Sequence, residues 1–297
     1  MPLNDNIRVA GQGTRRLAGP GPGAVFGVAC ALETGKHVGE WLSEIWRSRE
    51  ILYFLAWRDV KVRYKQAALG MAWALLQPLL TMVIFSLFFG RLAGIPSDGV
   101  PYKLFSYSGL LLWTYFSVTL AQTGNSLVTN SQLITKIYFP RVLLPAASAL
   151  AGLLDLVVGS VFLVALMAYY HVVPGWSVLL TPLFVAQTAL LVMGSGMLLA
   201  AINVRYRDVK YTIPFLTQTG LFVTPIIWPV SYLPHRYQLW LALNPMAGVV
   251  EGFRACLFGA QPLDWTLVGC SWAITLLLLL LGGMHFRSTE RVFADIV

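Results

Sequence analysis

Of 297 residues, 57% are hydrophobic and only 11% carry a formal charge, against about 25% charged in a soluble domain, which excludes a soluble globular protein and indicates an integral membrane one. The net charge of +8 would suit nucleic acid only if it formed a basic face on a folded domain, and the basic residues instead fall between apolar runs. Cys30, Cys256 and Cys270 are odd in number without a CxxC spacing, and His37, His171, His235 and His285 are scattered, so neither a disulfide framework nor a metal site is indicated.

Residues 1–38 are rich in Gly and Pro at the front, with a weakly apolar stretch, Ala24 to Leu32, behind Arg15 and Arg16. That stretch mimics a signal peptide, but Gly27 interrupts it, and a disordered cytoplasmic tail is the better reading. A helix over about 41–65 follows. At about 100° per residue, Tyr53, Trp57, Val60 and Tyr64 share one stripe, with Arg58, Lys61 and Lys65 along one edge and Arg63 on the other. This is the pattern of an amphipathic helix in the headgroup layer, its cations reaching up to phosphates.

The first span, about 66–90, would be roughly 37 Å long as a helix, enough to cross with tilt despite Pro78. A Gly- and Pro-containing loop turns the chain into a second span, about 104–127, which opens with a run of aromatics suited to the headgroup boundary. Residues 129–141 hold one or two helical turns, which Pro140 bars from continuing. Spans of about 142–170 and 177–202 flank the turn His171 to Gly175. Asp155, near the middle of the former, is read either as a functional carboxylate or as a hydrogen-bonded structural one. After the charged loop 203–210, a marginal fifth span covers about 211–228, interrupted by Pro214 and Pro225 and followed by Pro229. Two short apolar helices within about 230–262, split by Asn244-Pro245, are each too brief to cross and predict a re-entrant hairpin. Glu251 and Arg254 sit one turn apart there, close enough to pair. The last span is about 265–286. The fold class is therefore all-α integral membrane, with six transmembrane helices, an N-terminal amphipathic interfacial helix and a re-entrant helical hairpin before the last span.

Six spans put both termini on one side, with only Arg91, Lys103, Arg236 and Arg254 of the 21 basic residues opposite. The positive-inside rule makes both ends cytoplasmic.

Three stretches carry a family resemblance: Trp57 to Pro78 (WRDVKVRYKQ, then LGMAWALLQP), residues 203–229 (NVRYRDVKYTIPFLTQTGLFVTPIIWP) and residues 244–254 (NPMAGVVEGFR). Together they resemble ABC-2 type permeases that export polysaccharides such as O-antigen, capsule and teichoic acid, and the resemblance covers about residues 39–297 as the transmembrane domain. It implies a homodimer in the bacterial inner membrane joined to a separate nucleotide-binding ATPase subunit. The chain has no Gly-x-x-x-x-Gly-Lys-[Ser/Thr] loop of its own, so ATP and Mg are expected on that partner and no cofactor on this chain. The implied cargo is a polyprenyl-diphosphate-linked polysaccharide.

The resemblance also implies site roles. The segment Asn130 to Pro140, with Ser131, Gln132, Lys136 and Tyr138, would be the coupling helix that meets the ATPase. The hairpin, with Asn244, Pro245, Glu251 and Arg254, would gate the periplasmic mouth. Phe85, Phe88, Phe215 and Phe222 would line the translocation path, where rings can slide along sugars; packing against lipid or a partner is the other reading of each. The interfacial helix, with Trp57, Arg58, Lys61, Arg63, Tyr64 and Lys65, would meet the cargo diphosphate or anchor on membrane lipids. No catalytic residues are expected. An ABC-2 permease for drugs or lipids is the alternative. A membrane-embedded transferase would need a clustered acid and base, and a carrier driven by Asp155 commonly shows inverted repeats; the sequence displays neither.

Overall fold

The computed structural model describes Ser43 and residues 46–65, 72–137, 139–206 and 208–290. The expected tail 1–38 lies outside the described residues, as do the first residues of the expected first span, Tyr138 and Arg207.

Among the described residues the structure is helical, with no strand. Helix α1 is Arg49–Lys65. The first span is α2, Ala72–Phe85, continued by a π-helical segment, Ser86–Leu92. Then come α3, Tyr102–Thr129; the short α4, Ser131–Lys136; and α5, Leu143–Tyr169. A 3-10 turn, Trp176–Leu180, leads into α6, Thr181–Arg205, and α7 is Val209–Val223. The stretch expected to form the hairpin holds two short helices, α8, His235–Leu241, and α9, Pro245–Phe258, before α10, Trp265–Glu290.

Five of these stretches are long and apolar enough to cross a membrane: Leu75–Leu92, Tyr102–Thr129, Leu143–Tyr169, Trp176–Arg205 and Trp265–Glu290. The expected fifth span is the exception. As a 15-residue helix, α7 is about 22 Å long, short of a hydrocarbon core of about 30 Å. It stops five residues earlier than the sequence reading placed it because Pro225 disfavours helical backbone at the residue before it, and Thr224 is extended, with ψ 141°.

The bundle is built around α3. Some 72% of its most apolar 18-residue stretch is buried, against 22% of the first span's, because its polar and small residues admit neighbours on every side. The hydroxyls of Tyr107 and Tyr115 donate to the carbonyls of Gly159 (3.0 Å) and Ala149 (3.2 Å) on α5. From α6, Asn203 Nδ2 donates to the Gly124 carbonyl at 3.0 Å. Helices α6 and α10 cross closely at Gly194 and Gly282. By contrast, α2 and α7 bury one side and leave the other open: Leu80, Ile84 and Phe88 are exposed, as are Tyr211, Phe215 and Phe222. The apolar residues Trp176, Trp240 and Trp265 are likewise exposed, as rings at a bilayer boundary are.

Candidate functional site

The residues singled out by sequence form three groups. The first surrounds α1, which packs along α5 with Leu55 buried. Its basic residues divide. Lys61 and Lys65 are exposed, with Lys61 Nζ 5.7 Å from the centre of the Trp57 ring. Arg58 and Arg63 turn inward instead. Arg58 donates from Nη2 to Asn130 Oδ1 at 2.8 Å, and also to Asp59. Arg63 forms an ion pair with Asp155 through Nη1 and donates through Nη2 to Gln122 Oε1 on α3. Two of the four cations expected to meet phosphates are thus engaged inside the protein instead. Asp155 lies 12 residues into α5, roughly 18 Å along the helix, where an unpaired carboxylate is expensive and a guanidinium fork is a strong partner. Of the aromatic stripe, Tyr53 and Trp57 are exposed, whereas Val60 and Tyr64 are half-buried.

The second group is the corner between α3 and α5. Asn130 closes α3 by donating from Nδ2 to the Ser126 carbonyl (2.8 Å), and α4 follows at once. Gln132 and Lys136 are exposed, Ser131 is half-buried, and Ile134 anchors the turn in the bundle. The helix is shorter than the 130–140 segment expected, ending at Lys136 with Ile137 extended. Pro140 then accepts from the Leu143 backbone N–H at 3.0 Å and starts α5.

The third group is the hairpin. Asn244 caps α9, accepting from Met246 N at 3.1 Å, while its Nδ2 donates to Thr224 Oγ1 at 2.9 Å. The Pro245 carbonyl accepts from Ser271 on α10. Glu251 and Arg254 do not form the expected pair, and Glu251 Oε2 is buried without a hydrogen-bond partner. Arg254, 5% exposed, donates to the carbonyls of Pro225 (2.5 Å), Ile226 (2.9 Å) and Phe105 (3.0 Å), with its guanidinium carbon 3.6 Å from the Phe105 ring centre. The break after α7 supplies the reason: it leaves backbone oxygens outside any helix, and these must be paired when buried. Gly109 makes the space, since a Cβ there would stand 2.6 Å from Arg254 Nη2.

The four phenylalanines are not brought together. Phe85 is buried in the core, edge-on to Phe89 at 5.4 Å. Phe88, Phe215 and Phe222 are exposed on the open sides of the first span and α7. The π-helical segment beginning at Ser86 shifts the side-chain phase just there, which is why Phe85 and Phe88 part company. Gln122 and Asn130 are the functional neighbours that sequence reasoning did not connect to α1; no local pattern marks a contact across 59 or 72 residues.

Among the described residues no group of His, Cys, Asp and Glu is arranged to hold a metal. Residues 50–258 match the family model described as ABC-2 type transporter. The O-antigen export system permease protein RfbA of Myxococcus xanthus is 28% identical over 255 residues, covering 85% of this chain and 97% of that one. The permease protein RfbA of Klebsiella pneumoniae is 24% identical, covering 84% and 95%. The polysialic acid transport protein KpsM of Escherichia coli is 21% identical, covering 79% and 91%.

Proposed function

We propose a function that proceeds from one premise: the chain belongs to the ABC-2 type transporter family. It is the transmembrane permease subunit of an ATP-driven exporter that moves a polyprenyl-diphosphate-linked, O-antigen-like polysaccharide from the cytoplasm across the bacterial inner membrane. The observation that carries this is coverage: the Myxococcus xanthus O-antigen permease aligns along 97% of its length and 85% of this chain, so the likeness is not confined to one motif.

In this reading α7 is the sixth crossing, both termini are cytoplasmic, and the short α4 meets a separate ATPase subunit. The positive-inside distribution supports the orientation, and the exposed Gln132 and Lys136 suit a docking element. The open faces of the first span and α7, with Phe88, Phe215 and Phe222, suit a homodimer whose two copies enclose the path. The hairpin of α8 and α9 dips in from the periplasmic side to close it.

Purification of the tagged protein from its native membrane tests this. A co-eluting ATPase activity together with a polyprenyl-linked glycan, detected by mass spectrometry, is the expected result. ATPase without glycan would favour a drug or lipid permease, and no ATPase at all would overturn the reading.

Within it, Lys61 and Lys65 are the exposed cations in the C-terminal half of α1, available to the cargo diphosphate. Lys61→Gln with Lys65→Gln is expected to lower export by up to roughly 30-fold, from the ~1 kcal/mol that each cation contributes near an anionic surface, with the inserted amount of protein unchanged. Export at the wild-type rate would leave these lysines as lipid anchors alone.

A further inference from the structure

The geometry points to α1 being a relay that ties the α4 corner to the middle of α5 and to α3 about two turns before its end, with Arg63 and Asp155 as positioning residues for transport. Its role in transport rests on the function proposed above; the joint itself does not.

Two anchors define the relay. At one, Arg58 holds Asn130 at 2.8 Å, and Asn130 sits immediately before α4. At the other, Arg63 spans Asp155 on α5 and Gln122 on α3. Between them Asp59 is also engaged, taking Arg58 at 2.8 Å and facing Ser148 on α5, whose Oγ lies 3.5 Å from Asp59 Oδ2. Arg58 and Arg63 are five residues apart, so they leave the helix about 140° from one another. Anchors on two edges fix the rotation of α1 about its axis as well as its height along α5. A displacement imposed on the α4 corner is therefore delivered to α5 near its midpoint, without passing along α3 alone.

Fold stability alone does not account for this joint. A partly buried ion pair often stabilises less than apolar side chains of the same size would. This one is also incomplete: Asp155 Oδ1 and the neighbouring Tyr64 hydroxyl are buried without hydrogen-bond partners. What the pair does supply is a definite register between helices, the best-attested use of interior charges. A guanidinium stays protonated at any physiological pH, so the Arg63 end of the joint is a permanent cation.

The test is a set of variants read in two independent ways. In detergent-solubilised full-length protein, Arg63→Met and Asp155→Leu are each expected to lower the unfolding temperature by roughly 10 °C, since each leaves an unpaired charge within the bundle. The double variant R63M/D155L should regain most of that loss. Glycan exported per ATP hydrolysed, measured in membranes with the native ATPase, should separate the two roles. It is expected to fall on the order of tenfold in both single variants, in N130A and in the stable apolar double, and to recover in the charge swap R63D/D155R.

An apolar double that exports at the wild-type ratio would overturn the relay and leave the pair as packing. Single variants with unchanged unfolding temperatures would overturn the joint itself. Wild-type membranes that export no glycan would sink the proposed transport function and the relay's purpose with it, while the thermal cycle would still decide the joint.

Discussion

Replacing Arg254 by alanine is expected to lower the unfolding temperature of the solubilised protein by roughly 15 °C and to detach the hairpin from α3. Hydrogen bonds from a charged donor contribute about 1.5–3 kcal/mol each. Arg254 donates to three backbone carbonyls and lies 3.4 Å from Ser108 Oγ. Its loss leaves the Pro225, Ile226 and Phe105 oxygens buried without this donor, for a total on the order of 5 kcal/mol, or 2–4 °C per kcal/mol in a chain of this size. Arg254→Lys should recover only part, because an ammonium keeps the charge but cannot hold three divergent oxygens in a planar fork. The measurement is thermal unfolding followed by fluorescence-detected size exclusion, paired with proteolysis near Tyr232. A variant as stable as wild type would show that the carbonyls find water or other donors, and that the hairpin is held by Asn244 and the buried face of α9 alone.

The contrast between Arg254 and Glu251 indicates which parts of this protein its sequence discloses. Apolar runs disclose spans well: the expected 142–170 is α5 at 143–169, because burial in lipid and helical hydrogen bonding both act locally. A spacing of three residues also suggested a Glu251–Arg254 pair. The guanidinium goes elsewhere because the break after α7 places carbonyls beside it, and that break is decided by Pro225 some 29 residues away. The same holds for Asp155. Periodicity marked Arg63 as lying on the opposite edge of α1 from the other three cations, which is the edge that reaches α5. Its partner, 92 residues away, required the packing of α1 on α5 to be known. The π-helical turn at Ser86–Leu92, which shifts the side-chain phase between Phe85 and Phe88, left no trace in composition. Local chemistry thus located elements, while the joints between them depended on where prolines and glycines let helices break or approach.

Gly194→Val is expected to be severely damaging, and a second glycine, on α10, provides its control. An ideal Cβ on Gly194 would stand 2.5 Å from Leu279 N, 2.6 Å from Leu279 Cα and 2.7 Å from the Leu278 carbonyl carbon. These are backbone atoms in the middle of α10, so no rotamer change relieves the contact, and the whole crossing of α6 on α10 must open. Opening it would also pull on Gln187, whose Nε2 donates to Ser271 Oγ at 2.8 Å across the same pair of helices. Overpacking of a tight core typically costs about 1–3 kcal/mol where side chains can adjust. Here the obstacle is main chain, and the expected result is little or no monodisperse protein after solubilisation. Gly269 lies on α10 as well, yet a Cβ there would meet nothing within 4 Å. Gly269→Ala should be neutral or gain up to about 1 kcal/mol, since glycine within a helix is less favourable than alanine by that amount. The two variants, expressed side by side and compared by yield and unfolding temperature, separate a requirement for close helix approach from a general intolerance of glycine replacement. Equal behaviour would mean that α6 and α10 can part without cost, and that the bundle is held at α3 alone.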